Sequence, residues 1–140
     1  VGVPLPDATV EACKAAGHRV ALATNPIFPA VATESRIRWA GLAPETFAWY
    51  TTYENIGYCK PNPDYYREIL RYLGCRAEDC LMVGNDVEED MMAAQAAGLS
   101  VFLLTDCLLN RKEKDISSYP QGDFDALLAF VEEWGGEASL

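Results

Sequence analysis

A chain of 140 residues, half of them hydrophobic, is one domain's worth of sequence with enough apolar side chains for a packed core. Twenty-one Asp and Glu against eleven Lys and Arg give a net charge of -10, which repels nucleic-acid backbones and anionic membranes and excludes both as expected partners. No apolar run nears the ~20 residues of a bilayer span, and the opening VGVPLPDATVEACKAAG lacks the basic and apolar regions of a signal peptide, so the expected location is cytoplasmic.

In chain order, DATVEACKAAG (7–17) spaces Val10, Cys13 and Lys14 about one turn apart and stops at Gly17, the pattern of a short helix. RVALAT (19–24) follows as a buried strand. Asn25 and Pro26 then have the form of a cap and a first-turn proline, predicting a helix that runs to about Gly41. AWYTTY (48–53) is aromatic and threonine-rich, as strands are. KPNPDYYREILRYLG repeats the Asn-Pro opening at Asn62 and Pro63 and places Tyr66, Ile69, Leu70 and Leu73 on one helical face before Gly74. CLMVG (80–84) is a third strand, VEEDMMAAQAAG a helix ending at Gly98, and SVFLLT (100–105) a fourth strand. Residues 106–122 mix charge, Ser, Pro and Gly as a surface loop, and DFDALLAFVEEWG closes the chain as an amphipathic helix. Strands alternating with helices predict an α/β fold with a parallel sheet covered by helices on both faces, in a single domain over 1–140.

Cysteine and histidine usage narrows the chemistry. The five cysteines are odd in number and never spaced CxxC, and His18 is the sole histidine, so reduced structural thiols are expected rather than disulfides or a zinc site. One histidine also gives little support to Ser-His-Asp or Cys-His catalysis.

Ligands of open α/β sheets bind outside the carboxyl ends of the strands. Three such ends carry polar residues here: Thr24 with Asn25, then Lys60, then the run from Asp86 through Glu88 and Glu89 to Asp90. Each has an ordinary explanation. Thr24 suits a strand terminus, Asn25 a helix cap and Lys60 a solvated loop, while Asp86 with Glu89 three residues on forms an acidic first turn. Together they are a neutral donor, a cation and a carboxylate pair, the parts that hold a phosphoryl group and a Mg²⁺ ion bridging to it. Asp86 and Asp90, four apart, share a face, whereas Glu88 points away and Glu89 is expected in solvent with it.

ALATN, CKPNPDYY and LMVGNDVEEDMMAAQAAG, in this order and spacing, resemble motifs two, three and four of the haloacid dehalogenase-like (HAD) hydrolase superfamily. The resemblance implies a Rossmann-like core in which Thr24 binds the transferring phosphoryl group, Asn25 supports it and Lys60 steadies its charge. It also implies Mg²⁺ on the acidic motif, with Asp86 as the first choice of ligand and Asp90 the second. Many relatives have Gly-Asp directly where this chain has Gly84-Asn85, so Asn85 is a further candidate. The implied reaction is phosphomonoester hydrolysis through an aspartyl-phosphate, on a small phosphorylated metabolite.

Motif one, DxDx(T/V), supplies the nucleophile in that family and is not found. The sole DxD, Asp123-Phe124-Asp125, reads as a helix start. By resemblance, then, the chain lacks the central first strand of a 5-4-1-2-3 sheet, is incomplete at its N-terminus, holds no cap domain and is catalytically silent alone. The strands VALAT and CLMVG must pair directly, borrow a strand from a second copy in a homodimer, or leave buried backbone groups unpaired at of order 1–3 kcal/mol each. The alternative function is a non-catalytic module of the same fold that binds a phosphate ligand or a protein partner.

Overall fold

The computed structural model describes residues 7–134 and 137–139. In chain order these build α1 (Asp7–Ala15), β1 (Ala21–Leu22), α2 (Ala30–Trp39), β2 (Trp49–Tyr50), α3 (Pro63–Leu73), β3 (Cys80–Gly84), α4 (Ala93–Ala96), β4 (Ser100–Leu104), β5 (Gln121–Gly122), α5 (Phe124–Glu133) and β6 (Glu137–Ser139). The fold is α/β, with parallel pairing between all the named strands. None of the described helices is long and apolar enough to cross a membrane.

Strands β3 and β4 are apolar along their length because helices cover both of their faces. Alternation divides them. Cys80 and Met82 of β3 and Val101 and Leu103 of β4 pack with Tyr65, Tyr66 and Ile69 of α3, while Leu81, Val83, Phe102 and Leu104 face Val10 and Cys13 of α1 and Leu127 and Val131 of α5. Two cores therefore grip one sheet and fix the carboxyl ends of β3 and β4 on the same edge.

The Asn-Pro opening behaves as expected at α3. Asn62 Oδ1 accepts the Asp64 N–H at 2.9 Å, Pro63 takes the first turn, and Gly74 ends the helix at φ 67. At Asn25-Pro26 the expectation fails, because α2 starts only at Ala30, after Pro29. A second proline at position 29 disfavours helical backbone at Phe28, and the Asn25 amide is drawn instead to Lys60 and Glu89.

The strand gap is resolved in a way the sequence reading did not foresee. The strands are arranged β5-β4-β3-β6 in one sheet and β1-β2 in another. On the flank of β3 away from β4 lies β6, in parallel register Cys80↔Glu137, Leu81↔Ala138 and Met82↔Ser139, and β6 also runs beside β1. The C-terminal segment thus lies near β1 and pairs with the flank of β3 where the resemblance puts the central strand, which satisfies backbone groups of β3 that the gap would leave open. The loop over residues 106–122 is also less free than expected. It ends in β5, which pairs with β4, and its Leu109 bridges to Asp86.

Candidate active site

The carboxyl ends of β1 and β3 and the loop after β4 enclose a cleft of about 540 Å³, lined among others by Thr24, Asn25, Lys60, Asn85, Asp86, Glu89 and Asp90. Of the residues singled out at three strand ends, all but Glu88 meet in it.

Thr24 is held by a buried hub. The Thr51 hydroxyl accepts the Thr24 N–H at 2.8 Å and lies 2.8 Å from both the Thr24 hydroxyl and the Thr24 carbonyl oxygen. Tyr65 donates its phenol to the same carbonyl at 2.5 Å. Burial pushes the Tyr65 phenol well above its ordinary pKa, so it stays a donor. The Thr51 proton goes to the Thr24 carbonyl, which has a lone pair for each of its two donors, so in the pair of hydroxyls Thr24 donates to Thr51 and is held in place by it. Sequence reading identified Thr24 but neither of its supports.

Asn25 joins segments far apart in sequence. Its Oδ1 accepts the Lys60 N–H at 2.8 Å and its Nδ2 donates to Glu89 at 3.3 Å, so its side chain braces the loops around the cleft.

The Lys60 ammonium contacts Asp90 Oδ1 at 2.7 Å, and both side chains are under a tenth exposed. Asp90 Oδ2 accepts the N–H groups of Asn85 and Asp86 at 3.2 and 3.1 Å. These three donors satisfy the buried charge from two sides. Gly84 is required by this arrangement, since a Cβ there would approach the Asp90 carboxyl group closer than 3.0 Å. Asp90, expected as a second metal ligand, sits as the counter-ion that anchors Lys60.

Asp86 caps the next helical segment, Oδ1 accepting the N–H groups of Glu88 and Glu89 at 3.0 Å each, as the acidic-turn reading expects. That segment opens as a wide π-helical stretch, Val87–Met92, before α4. Asp86 Oδ2 is paired with Arg111 at 2.6 Å. Sequence reading missed Arg111, a charge in a polar loop; the backbone pairing of Leu109 with Asn85 and Val87 brings it over. Asn85 donates its Nδ2 to the Cys107 carbonyl at 2.7 Å, and no described residue donates to its Oδ1. Glu88 and Glu89 depart from the expectation of free solvation. Glu88 pairs with Lys112 at 2.8 Å, and Glu89 is half-buried in the cleft wall, its carboxyl pushed up by burial and then by Asp86.

Mg²⁺ seeks near-octahedral oxygen ligands, including one or two carboxylates. Among the described residues no three of His, Cys, Asp and Glu converge in a way that could hold a metal ion. Asp90 is engaged by three donors, and one oxygen of Asp86 by Arg111. By themselves these residues do not complete a Mg²⁺ site.

The DxD at Asp123 is a helix cap, as expected, with Asp123 Oδ1 accepting the Ala126 N–H at 2.9 Å.

The sequence profile of haloacid dehalogenase-like hydrolases matches residues 3–98. A protein of Methanothermobacter thermautotrophicus named glyceraldehyde 3-phosphate phosphatase is 39% identical over 64 residues, covering 46% of this chain and 28% of that protein. Among solved structures, a HAD phosphatase from Thermococcus onnurineus superposes with a TM-score of 0.70 at 19% identity, over 94% of this chain and 57% of that one. A predicted phosphoglycolate phosphatase from Haemophilus somnus 129pt gives 0.69 at 23% identity, over 88% and 54%. The chain thus spans less than two thirds of each of these three relatives, and the structures bear on fold alone. The profile covers more than half of the sequence: the chain belongs to the haloacid dehalogenase-like hydrolase family.

Proposed function

We propose that the complete protein is a cytoplasmic phosphohydrolase that cleaves a small phosphomonoester through an aspartyl-phosphate. The observation that carries this reading is the buried Lys60–Asp90 pair set in the same cleft as Thr24. A lysine whose charge is fixed by a buried carboxylate is a preorganised partner for phosphoryl oxygens, because no reorganisation is needed as charge develops. The Thr24 hydroxyl, positioned by Thr51, would turn its proton from Thr51 to a second phosphoryl oxygen; Asn25, whose side chain is braced, acts by holding the loop at that place. Lys60 would also steady the charge of an attacking aspartate, a group for which this sequence offers only the helix-capping DxD.

Mg²⁺ dependence is assigned to the complete protein. Asp86 and Asn85 are the oxygen donors this chain would bring to the ion, with Asp90 behind Lys60 rather than on the metal. The ion would supply charge neutralisation of the phosphoryl group.

A specific observation favours a second reading. Asp123, the first acid of the sole DxD, is engaged in capping α5. A non-catalytic module that binds a phosphate ligand or a protein partner would need only the cleft.

The test is release of nitrophenol from p-nitrophenyl phosphate with Mg²⁺, by the 140-residue chain and by a version extended upstream to carry a DxD strand. The expected result is hydrolysis by the extended version alone. Robust turnover by the chain itself would overturn the nucleophile argument, and silence of both would favour the binding module.

A further inference from the structure

We propose that Arg36, stacked on Phe28 in the wall of the cleft, binds a carboxylate carried on the leaving group of the phosphomonoester; this deepens the function proposed above and rests on it. The Arg36 guanidinium carbon lies 5.0 Å from the Phe28 ring centroid, and both residues line the cleft with Ile27. Two other cations in that lining are each paired with an acid, Lys60 with Asp90 and Arg111 with Asp86. Arg36 has no acidic partner among the described residues. Its neighbour Arg38 does reach Glu34, at 4.0 Å.

Within the cleft lining, Arg36 is thus the exception among three cations. A half-buried arginine that lines the cleft with no carboxylate partner of its own among the described residues has donors that match an anion from outside. The Phe28 face attracts the guanidinium without using its N–H groups as hydrogen-bond donors, which leaves them for a planar, bidentate partner such as a carboxylate. Phe28 and Arg36 lie on the segment that continues from Thr24 through Asn25 into α2, so the phosphoryl end and the leaving-group end of the cleft are tied to one stretch of backbone. The substrate class is therefore a phosphorylated hydroxy acid.

The experiment is an NMR titration of the ¹⁵N-labelled chain with inorganic phosphate, 2-carboxyethyl phosphate and 3-hydroxypropyl phosphate. All three are expected to move the Thr24 and Lys60 amide signals. Only the carboxyethyl ester is expected to move the Arg36 Nε–Hε signal and to bind about tenfold more tightly than the hydroxypropyl ester, the order of a charge-assisted hydrogen-bond pair. R36Q should bring the two esters to equal affinity, with amide signals remote from the cleft unchanged as the check on folding; Phe28→Leu, which keeps the charge, should narrow the preference. Phosphate binding with equal affinity for both esters, or a preference that survives R36Q, would overturn the Arg36 assignment and leave the phosphoryl site standing. Failure of inorganic phosphate to move Thr24 or Lys60 would overturn the phosphoryl site and this inference with it.

Discussion

The two sides of the cleft are built differently. On one side, Thr24, Thr51, Tyr65, Lys60 and Asp90 form a buried, mutually satisfied set tied to β1, β2 and α3. On the other, Asp86 answers to Arg111, whose side chain is 61% exposed, and Asn85 to the carbonyl of Cys107 in an exposed loop. The first side behaves as core and the second as a latch at the rim. A group that must meet developing charge at a fixed point gains from burial and preorganisation, whereas a group that exchanges partners gains from an exposed and replaceable one.

The comparison breaks most directly at Asp90. Asp90→Ala leaves the Lys60 ammonium without its buried partner and two N–H groups without an acceptor, and removing one member of a buried pair costs about 3–5 kcal/mol. Urea unfolding should show that loss; a cost near zero would mean that the pair is solvated and the first side is not core. Thr51→Val, of similar shape, removes the acceptor of the Thr24 N–H and should cost about 1–3 kcal/mol. It should also weaken inorganic phosphate binding, because the Thr24 hydroxyl loses its orientation. Loss of stability with phosphate affinity intact would assign Thr51 to the fold alone.

What was legible in the sequence follows the same division by range. Asn62-Pro63 opening α3, Gly74 ending it, Asp86 and Asp123 as caps, and the apolar β3 and β4 depend on neighbours within a few residues, and all could be read. The family motifs point to Thr24, Lys60 and the acidic run together, and all of these but Glu88 line one cleft. Asn25 was misread as a helix cap because its partners stand 35 and 64 residues away; Pro29 was the local signal against a helix through Phe28. Arg111 looked like any loop charge, and only the pairing of Leu109 with the Asn85–Val87 backbone carries it to Asp86. Strand β6 had no local signature either, since its place is defined by the flank of β3 that it covers.

Glu89 sharpens the boundary between the two sides. Its pKa is raised by burial first and by Asp86 next, so the folded state holds its proton more tightly than the unfolded chain does. The charged form therefore weighs against folding: the stability linked to its proton is full below the ordinary carboxylate range and is lost as pH rises through the raised value. Glu89→Gln keeps an acceptor for Asn25 and should stabilise the protein near neutral pH, by less than about 1 kcal/mol because the carboxylate is only half-buried and solvent screens it. The gain should vanish in unfolding curves taken below pH 4.5, the ordinary value. A gain that is independent of pH would locate its origin in packing rather than in charge.

Arg111→Gln is the smallest expected change and the one that decides whether the rim is a latch. The arginine is an exposed partner of a carboxylate that already accepts two backbone N–H groups, so removing it leaves Asp86 capped and hydrated. The unfolding midpoint should stay where it is. What should change is the affinity of the cleft for Mg²⁺ in the complete protein, read by calorimetric titration: with Arg111 gone, Asp86 Oδ2 no longer has a cation to displace, and the ion should bind more tightly. A clear loss of stability in R111Q would instead make the Asp86–Arg111 contact part of the fixed frame. Unchanged Mg²⁺ affinity would mean that Asp86 reaches the ion through another oxygen or not at all, and that the loop carrying Arg111 answers to the substrate rather than to the metal.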